Sequence, residues 1–125
     1  MNDIDLRDAA RDFLMLVIAG KIDEAYQKYV DIGGRHHNFF TPSGFAALQA
    51  GMQQAESQTP GKQFTIKHIV VDNDLAVVHS HLIMKPDDPG MATVHILRFA
   101  NNKVAELWDC AQPIPKDLPN SDGPF

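Results

Sequence analysis

The chain has 125 residues, 44% hydrophobic and 22% charged, enough for one domain with a sizeable core and too few for two. Eleven Lys and Arg against sixteen Asp and Glu leave a formal charge of -5, and no basic cluster offsets it, which excludes nucleic acid and anionic membrane as expected partners. A single cysteine, Cys110, rules out an intrachain disulfide and any multi-thiolate metal site.

The longest apolar run, Phe13 to Ala19, is too short for a membrane span and follows acidic residues, so a cytoplasmic, soluble protein is expected. Leu6, Ala9, Ala10, Phe13, Leu16 and Val17 form the stripe of a first amphipathic helix. Asp3, Asp5 and Asp8 lead it in, and Gly20 closes it. Asp23 is a candidate cap for a second, shorter helix carrying Ala25, Tyr26, Tyr29 and Val30, broken at Gly33-Gly34. After a loop from Arg35 to Phe40, Thr41-Pro42 reads as the start of a third helix with Phe45, Leu48, Met52 and Ala55 on its apolar edge. Pro60-Gly61 stops it.

The period then changes. Between Lys62 and Gln112, four β-branched and aromatic runs are separated by turns at Asp72-Asn73-Asp74, at residues 85–90 and at Asn101-Asn102, so four antiparallel strands in meander order are expected. The reading is one α+β domain over residues 1–125, with a helical part at 1–60 and a sheet at 61–112. Residues 113–125 hold four prolines and are expected as an extended tail, ordered only if docked.

Strand parity decides which side chains can share a site. A two-residue turn at Asn101-Asn102 would separate Arg98 from Glu106, whereas a three-residue loop unites them and makes His95 and Asp109 diagonal neighbours. His95, Leu97, Phe99, Ala105, Leu107 and Asp109 then share one face. The opposite face would carry Val94, Ile96, Val104 and Trp108 beside Arg98 and Glu106, an apolar patch suited to a homodimer. The turn at Asn73 puts Val77, His79, His81 and Ile83 on one face of the second strand. If helices cover that face, three histidines and an aspartate converge in an apolar cleft, the usual form of a ligand site.

Several segments carry a resemblance: Gly20-Lys21-Ile22-Asp23-Glu24-Ala25-Tyr26, His37-Asn38, Asp74-Leu75-Ala76-Val77-Val78-His79 and Lys103-Val104-Ala105-Glu106-Leu107-Trp108-Asp109. Together they are similar to the SnoaL-like branch of the nuclear transport factor 2-like superfamily. The resemblance implies a cone-like fold of three helices on a curved antiparallel sheet. It also implies the chemistry of that branch's polyketide cyclases, ring closure by intramolecular aldol condensation without cofactor or metal. Asp109 matches the acid/base of the family's Trp-Asp motif and His95 the neighbouring histidine. The match favours His37 and Asn38 at the pocket mouth, with His36 exposed. The chain departs from the family pattern at Asp72-Asn73, Asn101-Asn102 and Leu107, and the superfamily holds isomerases, lyases such as dehydratases, hydrolases and binding domains.

The expected enzyme is therefore a cofactor-independent cyclase or isomerase acting on a carbonyl or polyketide-like compound. Asp109 and His95 are its catalytic residues, and His37, Asn38, His79, His81, Leu97, Phe99 and Leu107 its substrate-binding set. A non-catalytic ligand-binding or interaction domain built on the same cavity is the rival. His79-x-His81 invites a metal, because alternate strand residues project together. The helical first half argues against a cupin-like metal strand, and no metal is expected.

Overall fold

The computed structural model describes residues 5–125, so Asp3 of the acidic lead-in lies outside the described residues. Asp5 caps the first helix, α1 (Leu6–Ile18), by accepting from the amides of Arg7 and Asp8. Gly20, at φ 82, ends it in the left-handed conformation, and the amide of Lys21 returns to the carbonyl of Leu16 at 2.9 Å. Ala9, Ala10, Phe13 and Leu14 point into the core.

Helix α2 (Ile22–Tyr29) starts from Lys21, not from an Asp23 cap. Asp23 instead accepts from Gln49 and Gln53 of α3 (Phe45–Gln58), tying the two helices together. The start of α3 at Phe45 also corrects the expected start at Thr41-Pro42. The Pro42 carbonyl is taken by the His36 ring at 2.8 Å, which holds that segment in a loop, and Gly44, at φ 95, turns the chain into the helix.

The expected four-stranded meander is present as β2 (Gln63–Asp72), β3 (Leu75–Ile83), β4 (Met91–Ala100) and β5 (Lys103–Pro113). A fifth strand, β1 (Val30–His36), corrects the expectation of four. It pairs in parallel with β5, so the sheet order is β1-β5-β4-β3-β2. Gly33-Gly34 is therefore not a break. A Cβ on Gly34 would overlap the Ala105 carbonyl and stand 2.9 Å from the Phe45 ring, so glycine is what lets β1 approach β5 beneath α3.

The β4–β5 hairpin corrects the expected three-residue loop. Asn101 and Asn102 form a two-residue turn, both at positive φ (53 and 63), and the ladder shifts between Arg98 and Phe99. That bulge restores what the plain two-residue turn would have lost: Arg98 stands opposite Glu106, Leu97 opposite Leu107 and His95 directly opposite Asp109. Val104 pairs with Phe99 and is fully buried, so it belongs to the core and not to the expected outer patch.

The helices cover the face bearing Ala76, Val78, Leu97, Phe99 and Leu107, all at most 5% exposed. After Pro113 the chain forms no further helix or strand. The amide of Ile114 donates to Gly90, and Phe125 rests on His79 and His81 across the outer face of the sheet.

Candidate functional site

Alternation along β4 and β5 puts Thr93, His95 and Leu97 on the helix-covered face with Leu107 and Asp109. The apolar members seal the core, Thr93 is buried with them, and His95 and Asp109 are half-buried. His95 is half-buried among its neighbours. Its ring meets the edge of Phe64 at 6.3 Å. Burial holds its pKa below the ordinary imidazole value, and the negative charge of Asp109 opposes that shift only in part. His95 is thus neutral near pH 7. Among the described residues its buried Nδ1 has no hydrogen-bond partner, which leaves that nitrogen available to a ligand.

Asp109 is held from the loop that follows β1. Its Oδ2 accepts from Asn38 Nδ2 at 2.9 Å. The amide orientation of Asn38 is fixed by its other end, because Oδ1 accepts from the Phe40 amide at 3.0 Å and from Thr41 Oγ1 at 2.9 Å. His36 supports the same loop. Its Nε2 donates to the Pro42 carbonyl while Nδ1 accepts from the Asn38 amide at 3.1 Å, so both ring nitrogens are used by the neutral tautomer. A carboxylate, an oriented carboxamide and a neutral imidazole with a free nitrogen are thereby gathered over an apolar floor. Such a group can move a proton at carbon and donate to an oxygen that gains charge.

Several expected site residues stand elsewhere. His36 is buried (7% exposed) and packs on Phe45, whereas His37 turns to the outer face. The expected order of the two is thus reversed, because the β1–β5 ladder shifts between Val30 and Arg35 and leaves His36 opposite Leu107. His37 stacks on Trp108 at 5.2 Å and donates to Glu106 at 2.6 Å. Glu106 also meets Arg35 and Arg98, each at 3.2 Å. These bonds, that from His37 foremost, hold its carboxyl below the usual carboxylate range against the cost of burial.

His79 and His81 share a face as expected, but it is the outer one. They pair with Val94 and Ala92, while Val78 and Ser80 take the inner positions opposite His95 and Thr93. Both faces of β3 are apolar at its start, so hydrophobicity alone gave no parity signal. Leu97, Phe99 and Leu107 are on the expected face but are sealed in the core, at 0%, 5% and 1% exposure, and form the floor's packing rather than a contact surface. Sequence reasoning missed His36, whose signal was its two-residue spacing from Asn38. It also missed the Glu106 cluster as a unit.

Two open hollows, of about 530 and 610 Å³, lie at the hairpin end of the sheet. Both are lined in part by Lys103 and neither includes Asp109 or His95. Among the described residues no group of three or more His, Cys, Asp or Glu could hold a metal ion, and no helix is long and apolar enough to cross a membrane.

Comparison with known proteins gives one family match, to the SnoaL-like domain over residues 10–107. No curated protein matches. Among solved structures, a nuclear transport factor 2-like protein of unknown function from Cytophaga hutchinsonii superposes with a TM-score of 0.72 at 10% identity, covering 90% of this chain and 94% of that one. A Kribbella flavida protein provisionally named a ketosteroid isomerase gives 0.70 at 19% identity, covering 91% and 82%. An Agrobacterium tumefaciens protein, provisionally an isomerase of the SnoaL-like family, gives 0.70 at 9%, covering 85% and 97%. At these identities the structures speak for the fold.

Proposed function

The chain belongs to the SnoaL-like domain family, and from that premise we propose that it is a small enzyme performing cofactor-independent acid/base chemistry on a carbonyl compound. The observation that carries this reading is the placement of Asp109 directly opposite His95, whose buried Nδ1 lacks a partner among the described residues, with Asn38 fixing the carboxylate. The provisional isomerase names of the Kribbella and Agrobacterium neighbours point the same way.

In the proposed reaction the Asp109 carboxylate removes a proton from the carbon next to the substrate carbonyl and becomes a carboxylic acid. The electron pair moves onto the carbonyl oxygen, and a neutral His95 N–H donates to that developing oxyanion. In an isomerisation the acid returns the proton to another carbon. In an aldol cyclisation the enolate carbon attacks a second carbonyl of the same molecule, and the new alkoxide takes the proton. Asn38 supplies orientation. A positioned acid/base contributes about 10²- to 10⁴-fold, so the hydrogen bond to the oxyanion must carry much of the rest.

The outer face, with Val94, Ile96 and Trp108, is assigned to a homodimer contact on the strength of its apolar residues. A second functional reading is a non-catalytic small-molecule-binding domain, favoured by the fact that Asp109 already has a partner in Asn38.

The deciding experiment is solvent exchange in D₂O. Aromatic and polyketide-like ketones are incubated with the protein, and loss of the signal from protons beside the carbonyl is followed by NMR. Asp109→Asn is expected to abolish exchange while ketones still bind. Exchange that persists in the variant removes Asp109 from its role, and binding without exchange in the parent protein establishes the second reading.

A further inference from the structure

Two imidazoles outside the proposed site meet at the β2 edge of the outer face. The β2–β3 register shifts between Ile66 and His68, so Lys67 is the extra residue of a bulge and His68 comes level with His79. Bulges commonly re-aim a side chain in this way. The two rings lie within 2° of parallel with centroids 5.3 Å apart, and their Nδ1 atoms are 3.0 Å apart. The centroid separation exceeds the nitrogen separation by about a ring's width, so the nitrogens point head-on at each other and share one hydrogen. His68 is exposed and His79 partly so. His81 stands apart, its Nε2 bonded to the Pro89 carbonyl at 2.7 Å, and Lys67 lies over the Phe125 ring.

We propose that His68 and His79 form a two-imidazole site for a borderline divalent cation of the Zn²⁺, Ni²⁺ or Cu²⁺ kind, with water completing the coordination. Imidazole nitrogen holds such ions at about 2.0–2.1 Å, which sets two neighbouring ligands about 2.9–3.4 Å apart across square and tetrahedral arrangements. The observed separation of 3.0 Å falls within that interval without movement of either strand. The ion sits off the line between the nitrogens, so each ring swings by roughly 40–45°, a change that the broad terminal torsion of histidine permits. Binding moves the shared hydrogen off Nδ1, so that both rings present a lone pair to the ion. Two protein ligands make an exchangeable site, unlike the closed four-ligand set of a structural zinc. Asp109 faces the other side of the sheet, so the site does not depend on the proposed reaction.

The test is a titration of the untagged full chain with Zn²⁺ alone, read by NMR of the six histidine rings. His68 and His79 are expected to shift first and together. Affinity should fall about 10-fold or more in His68→Ala and in His79→Ala, and stay within about twofold in His81→Ala. His68→Gln, read alongside far-UV circular dichroism, separates lost ligation from lost fold. The proposal is overturned if the His68 and His79 signals stay fixed up to millimolar Zn²⁺, if other histidines shift first, or if folded variants bind as tightly as the parent.

Discussion

The Asn38 carboxamide donates to the Asp109 carboxylate at 2.9 Å across 71 positions of sequence. The loop after β1 thereby orients the group that β5, far along the chain, presents. Asn38 is itself pinned by the Phe40 amide and the Thr41 hydroxyl, so the hydrogen bond is built into the loop before any ligand arrives.

Replacing Asn38 by Ala should therefore slow the proposed proton exchange roughly 10-fold by loosening the carboxylate. The same change should lower stability by about 1 kcal/mol for the loop bonds it removes. Exchange rates and urea midpoints measured on one preparation separate the two effects. An unchanged exchange rate in a folded Asn38→Ala protein would reduce the contact to a structural tie.

Acid should unfold the protein in two stages. His95 has its folded pKa lowered from the ordinary 6.5, so the unfolded chain takes up the proton first. Its contribution is fully present above pH 6.5 and drains as the pH falls below that value. Glu106 is lowered from 4.5, so its contribution holds above that pH and is lost as the pH falls further. Urea midpoints between about pH 8 and pH 3 should lose the upper slope in His95→Gln and the lower slope in Glu106→Gln. Parallel curves in all three proteins would contradict both assignments.

Gly34→Ala should destabilise by about 1–3 kcal/mol, since the added methyl has the Ala105 carbonyl and the Phe45 ring in its way and the sheet and α3 must part. Gly44→Ala is less informative there, because nothing lies within 4 Å of its Cβ position and only the positive φ opposes it. Thermal melts of the two variants, with the larger loss at Gly34, check that close approach is the operative cost.

Sedimentation at micromolar concentration should give twice the 13.9 kDa chain mass, and Trp108→Glu should halve it by placing a charge in the apolar outer patch. A monomer in the parent protein would end the dimer assignment.

Those positions mark where the sequence could be read and where it could not. Helical periodicity located the three helices, and the turn residues located four strands, because each signal is local. β1 was hidden because Gly33-Gly34 has the same appearance in a break and in a strand pressed against another backbone. The inner positions of His95, Leu97, Phe99, Leu107 and Asp109 were legible from the charges of Arg98 and Glu106 although the turn itself was not, because a bulge and a longer loop give the same parity. His79 and His81 lacked any such charge marker, and the reversal of His36 and His37 followed from a register shift that no local pattern announces.

The parallel pairing of β1 with β5 also sets an order of events during synthesis. β1 is complete at His36, but its partner is Lys103–Pro113. Throughout the intervening translation its edge carries backbone groups with no strand to pair with, and long-range parallel pairing of this kind is slow to form. Asn38 and Asp109 meet only when that last seam closes. A chain interrupted before β5 therefore carries α1–α3 and an open edge but no oriented carboxylate, and the nascent protein is most prone to aggregate while Asp109 is still missing.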